Sequence, residues 1–250
     1  MSETLENSAK AKGAVIVGGV GEGLGFAVSA RFAAAGHPVV MLARSAEKLE
    51  QLARRIGERG GTAVGRATDL REEEQIVTAF EEVHSLYGRI DAAIYNAGAQ
   101  HRKPLLEVTG TTFEKVWRLG CFGAFVFGRE AVRHMLPQGR GTVLFTGATA
   151  SMRGGPQFAA FAAAKFGVRA IAQSMAREFG PQGIHVASVV IDGGIDMPAI
   201  HQRYAAAGRA ISEDSLLSPA AIAETYYQIH VQHRSAWTNE TELRPFKETF

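Results

Sequence analysis

Apolar and polar positions alternate in blocks along the first hundred residues. The first block, Ala14, Val15, Ile16 and Val17, has no polar side, as a strand buried on both faces of a parallel sheet requires. It breaks into glycines at 18, 19, 21, 23 and 25 and restarts as an amphipathic run to about Ala35, which predicts a helix. The alternation then repeats, with strand patterns over 37–43, 62–67 and 90–95 separated by helix patterns over 45–60 and 72–87. Further on, 141–151 reads as a fifth strand and its end, 158–179 as a long helix and 183–191 as a sixth strand. Ser218-Pro219 opens another helix, with serine as cap and proline in the first turn. Such alternation with short loops predicts an α/β fold, a doubly wound parallel sheet of about seven strands with helices on both faces.

Composition narrows the function classes. At 250 residues and 46% hydrophobic, the chain suits one well-buried core, expected as a single domain over 13–250. A net charge of +2 without a basic stripe speaks against nucleic acid, and the apolar runs are too short for a membrane span. Residues 1–12 are polar and read as a flexible tail rather than a signal peptide. A single cysteine, Cys121, excludes an internal disulfide and a cysteine-based metal cluster; no metal and a cytoplasmic location are expected.

The glycine turn after the first strand lets backbone approach a ligand closely, and the helix after it would aim free N–H groups and a positive dipole end at a pyrophosphate. Its spacing does not fit G-x-G-x-x-G, because Leu24 or Phe26 falls where that pattern should close. It does fit G-x-x-x-G-x-G at Gly19, Gly23 and Gly25, with Leu24 inside the turn, which resembles the cofactor loop of the short-chain dehydrogenase/reductase family. Two further segments fall in the family's order. Asp69-Leu70 resembles its adenine-binding pair, and Tyr95-Asn96-Ala97-Gly98 its N-N-A-G segment. The resemblance spans 12–231 and implies a single Rossmann-type domain binding a nicotinamide dinucleotide, a small-molecule substrate, and a homodimer or homotetramer formed through two long central helices. These are expected over 113–135 and 158–179, and Phe122, Phe125 and Phe127 on one and Phe166, Ile171 and Met175 on the other are more apolar residues than one packed face needs. Arg44 follows Ala43, the position where an acid would bind the ribose of NAD, and a guanidinium there suits the 2′-phosphate of NADP. Glu22 opposes that choice; NADP is expected ahead of NAD.

The family's catalytic unit is Tyr-x-x-x-Lys on a long helix, a serine upstream on a strand end and an asparagine on the preceding helix. Lys165 occupies the lysine position, where the resemblance implies that it also binds the cofactor's ribose. Phe161 stands at the tyrosine position, Ala148 at the serine and Gly120 at the asparagine. Phe161 and Lys165 are one helical turn apart and share a face, but a phenylalanine has no proton to give. Asp192-Gly193 replaces the usual Pro-Gly after the sixth strand, and Met197 stands where a threonine would hold the carboxamide. Thr149 and Asp192, and behind them Ser151, His101 and Cys121, are candidate replacement acids. Each has a plainer role: hydroxyls satisfy strand-end backbone, and a lone cysteine is usually a small buried apolar group. Residues 196–215 are expected to form a lid, and the apolar stretch 235–250 to cover the sheet edge or a second subunit. Two functions follow. One is an oxidoreductase using NAD(P), chiefly NADPH, on an apolar small molecule by a non-standard proton path, such as reduction of an iminium that brings its own charge. The other is an NADP-binding protein without turnover, a sensor or partner subunit.

Overall fold

The computed structural model describes residues 12–208 and 210–247. The tail expected over 1–12 therefore lies outside the described residues, apart from Lys12. Seven parallel strands form one sheet in the order β3-β2-β1-β4-β5-β6-β7. They are β1 (Ala14–Gly18), β2 (Val39–Ala43), β3 (Ala63–Ala67), β4 (Ile90–Tyr95), β5 (Gly141–Thr146), β6 (Ile184–Ile191) and β7 (Glu240–Leu243). The helices are α1 (Leu24–Ala34), α2 (Ala46–Gly57), α3 (Glu73–Tyr87), α4 (Gly110–Trp117), α5 (Gly123–Met135), α6 (Ala159–Phe179), α7 (Pro198–Ala206) and α8 (Pro219–His230).

Side chains of a strand point alternately to opposite faces, and β1 shows this directly. Ala14 and Ile16 join a core with Phe80 of α3, Phe127 of α5 and Val168 of α6. Val15 and Val17 join the opposite core, with Phe32 of α1, Leu52 of α2 and Tyr226 of α8. All five β1 residues are buried, as the unbroken apolar run requires. Winding runs outward from β1 to β3, then returns to β4 on the other side of β1. Loops leaving β1 and β4 therefore diverge and open a crevice at the carboxyl ends of the strands.

Two elements differ from the sequence expectation. The second strand begins at Val39 rather than residue 37, because His37 is a buried side chain whose Nδ1 meets the Gly13 carbonyl at 3.0 Å. The helix before β5 is not continuous: a π turn, Arg118–Phe122, separates α4 from α5. Within it the Leu119 carbonyl accepts the Tyr95 hydroxyl at 2.5 Å. The stretch after residue 235 supplies β7 at the sheet edge, with Trp237 stacked on His185 at 4.7 Å between ring centroids. No helix among the described residues is long and apolar enough to cross a membrane.

Candidate active site

At the crevice, backbone geometry explains the glycines. Gly19 has φ +81°, and a methyl group there would come within 2.6 Å of Ala97 N and Cα. At Gly25 it would come within 2.8 Å of Val20 Cα, so both glycines are required by the turn's own packing. Gly21 faces open space, while Gly23 is covered by the Met197 thioether from the segment leading into α7. Helix α1 begins at Gly23 and Leu24 with no side-chain cap and no acid in its first turn, leaving N–H groups for an anion.

Asn96 ties the strand ends together. Its backbone N–H donates to Gly18 O at 2.9 Å and its Nδ2 to Gly19 O at 3.1 Å. Its Oδ1 accepts from Thr146 Oγ1 at 3.1 Å. Thr146 thereby spends its only hydrogen, so Tyr226 donates to Thr146 Oγ1 across 2.8 Å. Burial pushes the Tyr226 phenol up and keeps that hydrogen in place.

Two hollows flank this tie. The smaller, roughly 360 Å³, is lined by Ala43, Arg44, Asp69, Leu70, Ala97 and Gly98 among others. Arg44 is exposed and forms no ion pair among the described residues, while its charge favours the ionised Asp69. The Asp69 carboxylate is clasped by both Arg71 Nε and Arg71 Nη2, and this contact holds it below the usual carboxylate range. Arg71, which sequence reading passed over, thus adds a second guanidinium beside Arg44. Glu22 lines a different depression, with Phe26, Arg31 and Arg59.

The larger hollow, roughly 680 Å³, contains Ala148, Thr149, Phe161 and Lys165. Lys165 is 5% exposed, and its Nζ donates to Thr146 O at 2.8 Å. Burial lowers its pKa to about 8. The Phe161 ring lies one helical turn away, 6.0 Å from Nζ to centroid.

The remaining candidates are disposed differently. Thr149 lines the hollow, but its hydroxyl donates to Asp192 Oδ1 at 2.5 Å, leaving only lone pairs for a ligand. Asp192 corrects the expectation of a polar group in the pocket: it is 1% exposed, and its carboxylate is held by Thr149, Arg244 at 3.1 Å and Arg153 at 3.4 Å. Ser151 Oγ accepts the Ala148 N–H at 3.1 Å and closes the strand-end turn. His101 lines neither hollow, and Cys121 packs on Gly167 of α6, its thiol pushed up by burial. Gly120 sits in the π turn, where a methyl group would come within 2.7 Å of Ala164 Cβ. An asparagine there would collide with α6.

Comparison with known proteins places this arrangement. A model of the short-chain dehydrogenases matches residues 13–206. The chain belongs to the short-chain dehydrogenase family. A family member from Hericium erinaceus, the short-chain dehydrogenase/reductase eriH, is 32% identical over 179 residues, 70% of this chain and 71% of that protein. A trihydroxynaphthalene reductase of Colletotrichum orbiculare is 30% identical over 181 residues, 72% of this chain and 64% of that protein. Among solved structures, a short-chain dehydrogenase from Rhodopseudomonas palustris is 42% identical, covers 94% of this chain and 99% of its own, and superposes with a TM-score of 0.81. The glycine turn, Asn96 and Lys165 all lie within the matched span.

Proposed function

We propose that this protein is a cytoplasmic NADP-dependent oxidoreductase that reduces an apolar small molecule without a tyrosine acid. The observation that carries this reading is a buried Lys165 in a hollow whose tyrosine position holds Phe161. Gly19, Gly23, Leu24 and Gly25 would hold the pyrophosphate, Asp69 and Leu70 the adenine, and Asn96, Ala97 and Gly98 the flanking backbone. Arg44 would take the 2′-phosphate and Lys165 the nicotinamide ribose. When bound in its reduced form, the nicotinamide would supply hydride. The open face at Gly21 and the uncapped start of α1 support the fit.

The chain's own residues then have defined tasks. Phe161 excludes water and gives no proton. Thr149 offers lone pairs only, so it accepts from a substrate and does not protonate one. Lys165 spends one of three N–H groups on Thr146 O and keeps the others for the hollow. With a pKa near 8, it is a general acid suited to neutral pH, giving a proton to the developing oxyanion and regaining one from solvent. Helix α7, which places Met197, Ile200 and Arg203 along the hollow, serves as the lid within 196–215.

A second reading, NADP binding without turnover, draws on Thr149, whose only hydrogen is committed to Asp192. Consumption of NADPH by wild type and by the double variant Phe161→Tyr/Ala148→Ser separates the two, with ketones, aldehydes, enones and cyclic imines offered to each. The proposal expects wild-type turnover of at least one class. The variant should gain ketone reduction by roughly two to four orders of magnitude, the scale of general acid catalysis. Turnover by the variant alone would favour the binding role.

A further inference from the structure

Beside Lys165, the larger hollow carries two cations to which the proposed reduction gives no task, Arg153 and Arg203. Arg153, Lys165 and Arg203 line it, and among the described residues no aspartate or glutamate does. An adjoining hollow shares Gln100, Phe158 and Arg203 with it and adds Arg102. Two of these guanidiniums, Arg203 and Arg102, have neutral side-chain partners, and Arg153 has a carboxylate only at a long 3.4 Å. Asp192 faces both Arg244 at 3.1 Å and Arg153 at 3.4 Å, and Arg244 also pairs with Glu242 at 3.2 Å, so Arg153 shares the Asp192 carboxylate at the longer of its two guanidinium contacts. Arg244 is the inner of the two at 13% exposed, and Arg153 is 54% exposed on the cavity side. Arg203 Nη1 donates to a neutral partner, Gln100 Oε1, at 3.1 Å. Arg102 also has a neutral partner, Gln157 Oε1 at 3.0 Å, and lies over the Phe158 ring at 5.8 Å. Between these cations the wall is apolar, formed by Phe158, Phe161, Ile195 and Ile200.

We propose that this hollow takes an apolar substrate bearing an anionic group, a carboxylate or a phosphate, bound by Arg203 and Arg153. This rests on the reading of the hollow as the substrate site. A guanidinium offers paired N–H donors to either oxyanion, and apolar walls strengthen the attraction by excluding water. The same field disfavours a free iminium cation, which would meet Lys165 and Arg203 with no carboxylate on either.

Calorimetric titration of the full chain with octanoate, octyl phosphate and octanol, each with and without saturating NADP+, tests the proposal. An anionic probe should bind roughly tenfold or more tightly than octanol, the range of a charge-assisted hydrogen bond, with cofactor present. Whichever of octanoate and octyl phosphate binds tighter identifies the oxyanion. Arg203→Gln and Arg153→Gln should each remove most of that preference and leave octanol unchanged, while Arg203→Lys should keep part of it. Melting curves of the variants show whether they fold. Equal affinity for octanol and both anions would overturn the proposal, and so would anion binding abolished by NADP+, which would place the anion on the pyrophosphate path. If NADP+ itself fails to bind, the oxidoreductase reading falls. The cofactor-free preference and its loss in Arg203→Gln then still decide whether the hollow selects anions.

Discussion

At position 165 a lysine stands one helical turn from Phe161, and burial sets the pH range over which it would give the proposed proton. Burial alone lowers its pKa from 10.5 to about 8. The protonated form, which donates, is full below that value and empties above it. The rate of reduction should therefore be level below pH 8 and fall above it, and Lys165→Met should remove both the activity and this limb. A pH profile of kcat/KM checks this; a rate that climbs through pH 8 would mean that Lys165 acts as a base or not at all. The sign for stability is opposite. A lysine with a depressed folded pKa costs stability while charged, so its contribution improves as pH rises from about 8 toward 10.5. Lys165, Phe161 and Ala148 were legible through the resemblance, whose motif spacing places them on one long helix and a strand end, and all three line the larger hollow. Asp192 was not, because its guanidinium partner Arg244 lies on a segment 52 residues later and reaches it only through the pairing of β6 with β7.

Among the elements, the glycine turn was legible in full and the π turn was not. A run of apolar residues ending in glycines has few alternatives, whereas an extra residue per turn leaves no periodic mark in a short helix. The signal available was the glycine pair in the sequence RLGCFGAF, where both side chains would collide with neighbours. Gly120 therefore makes a distinct prediction. If its side were open to the site, Gly120→Asn would rebuild the family's asparagine. With Ala164 Cβ 2.7 Å from an added methyl, it should instead overpack the α6 contact and cost about 1–3 kcal/mol. Thermal melting of Gly120→Asn, alone and with Ala164→Gly, checks it: the second change should recover part of the loss. An unchanged melting temperature in the single variant would contradict the packing.

For the whole molecule, the parallel sheet with helices on both faces follows from the alternation of patterns, whereas its order, which opens the crevice between β1 and β4, is seen only in the structure. The seventh strand was read only as apolar chain near an edge, since Glu240–Leu243 is too short and polar to announce a strand. The apolar surplus on the long helices also sorts in three dimensions. Phe127 and Met175 belong to the core, while Phe125 and Phe166 remain exposed, with Phe113 and Trp117 beside them. Exposed aromatic surface of this kind suits a symmetric interface, so a homodimer or homotetramer is expected. Light scattering at micromolar concentration checks this, and a monomer would contradict it.

In the proposed function the crevice holds a nicotinamide dinucleotide and Arg44 reads its 2′-phosphate. Fluorescence titration of wild type and Arg44→Ala with NADPH and NADH tests it most directly. Saturable NADPH binding is expected, weakened in Arg44→Ala by about 1–3 kcal/mol, the scale of a hydrogen bond to a charged group, with NADH nearly unchanged. Equal losses for both cofactors would remove Arg44 from that role, and no saturable signal up to millimolar cofactor would contradict the account at its root.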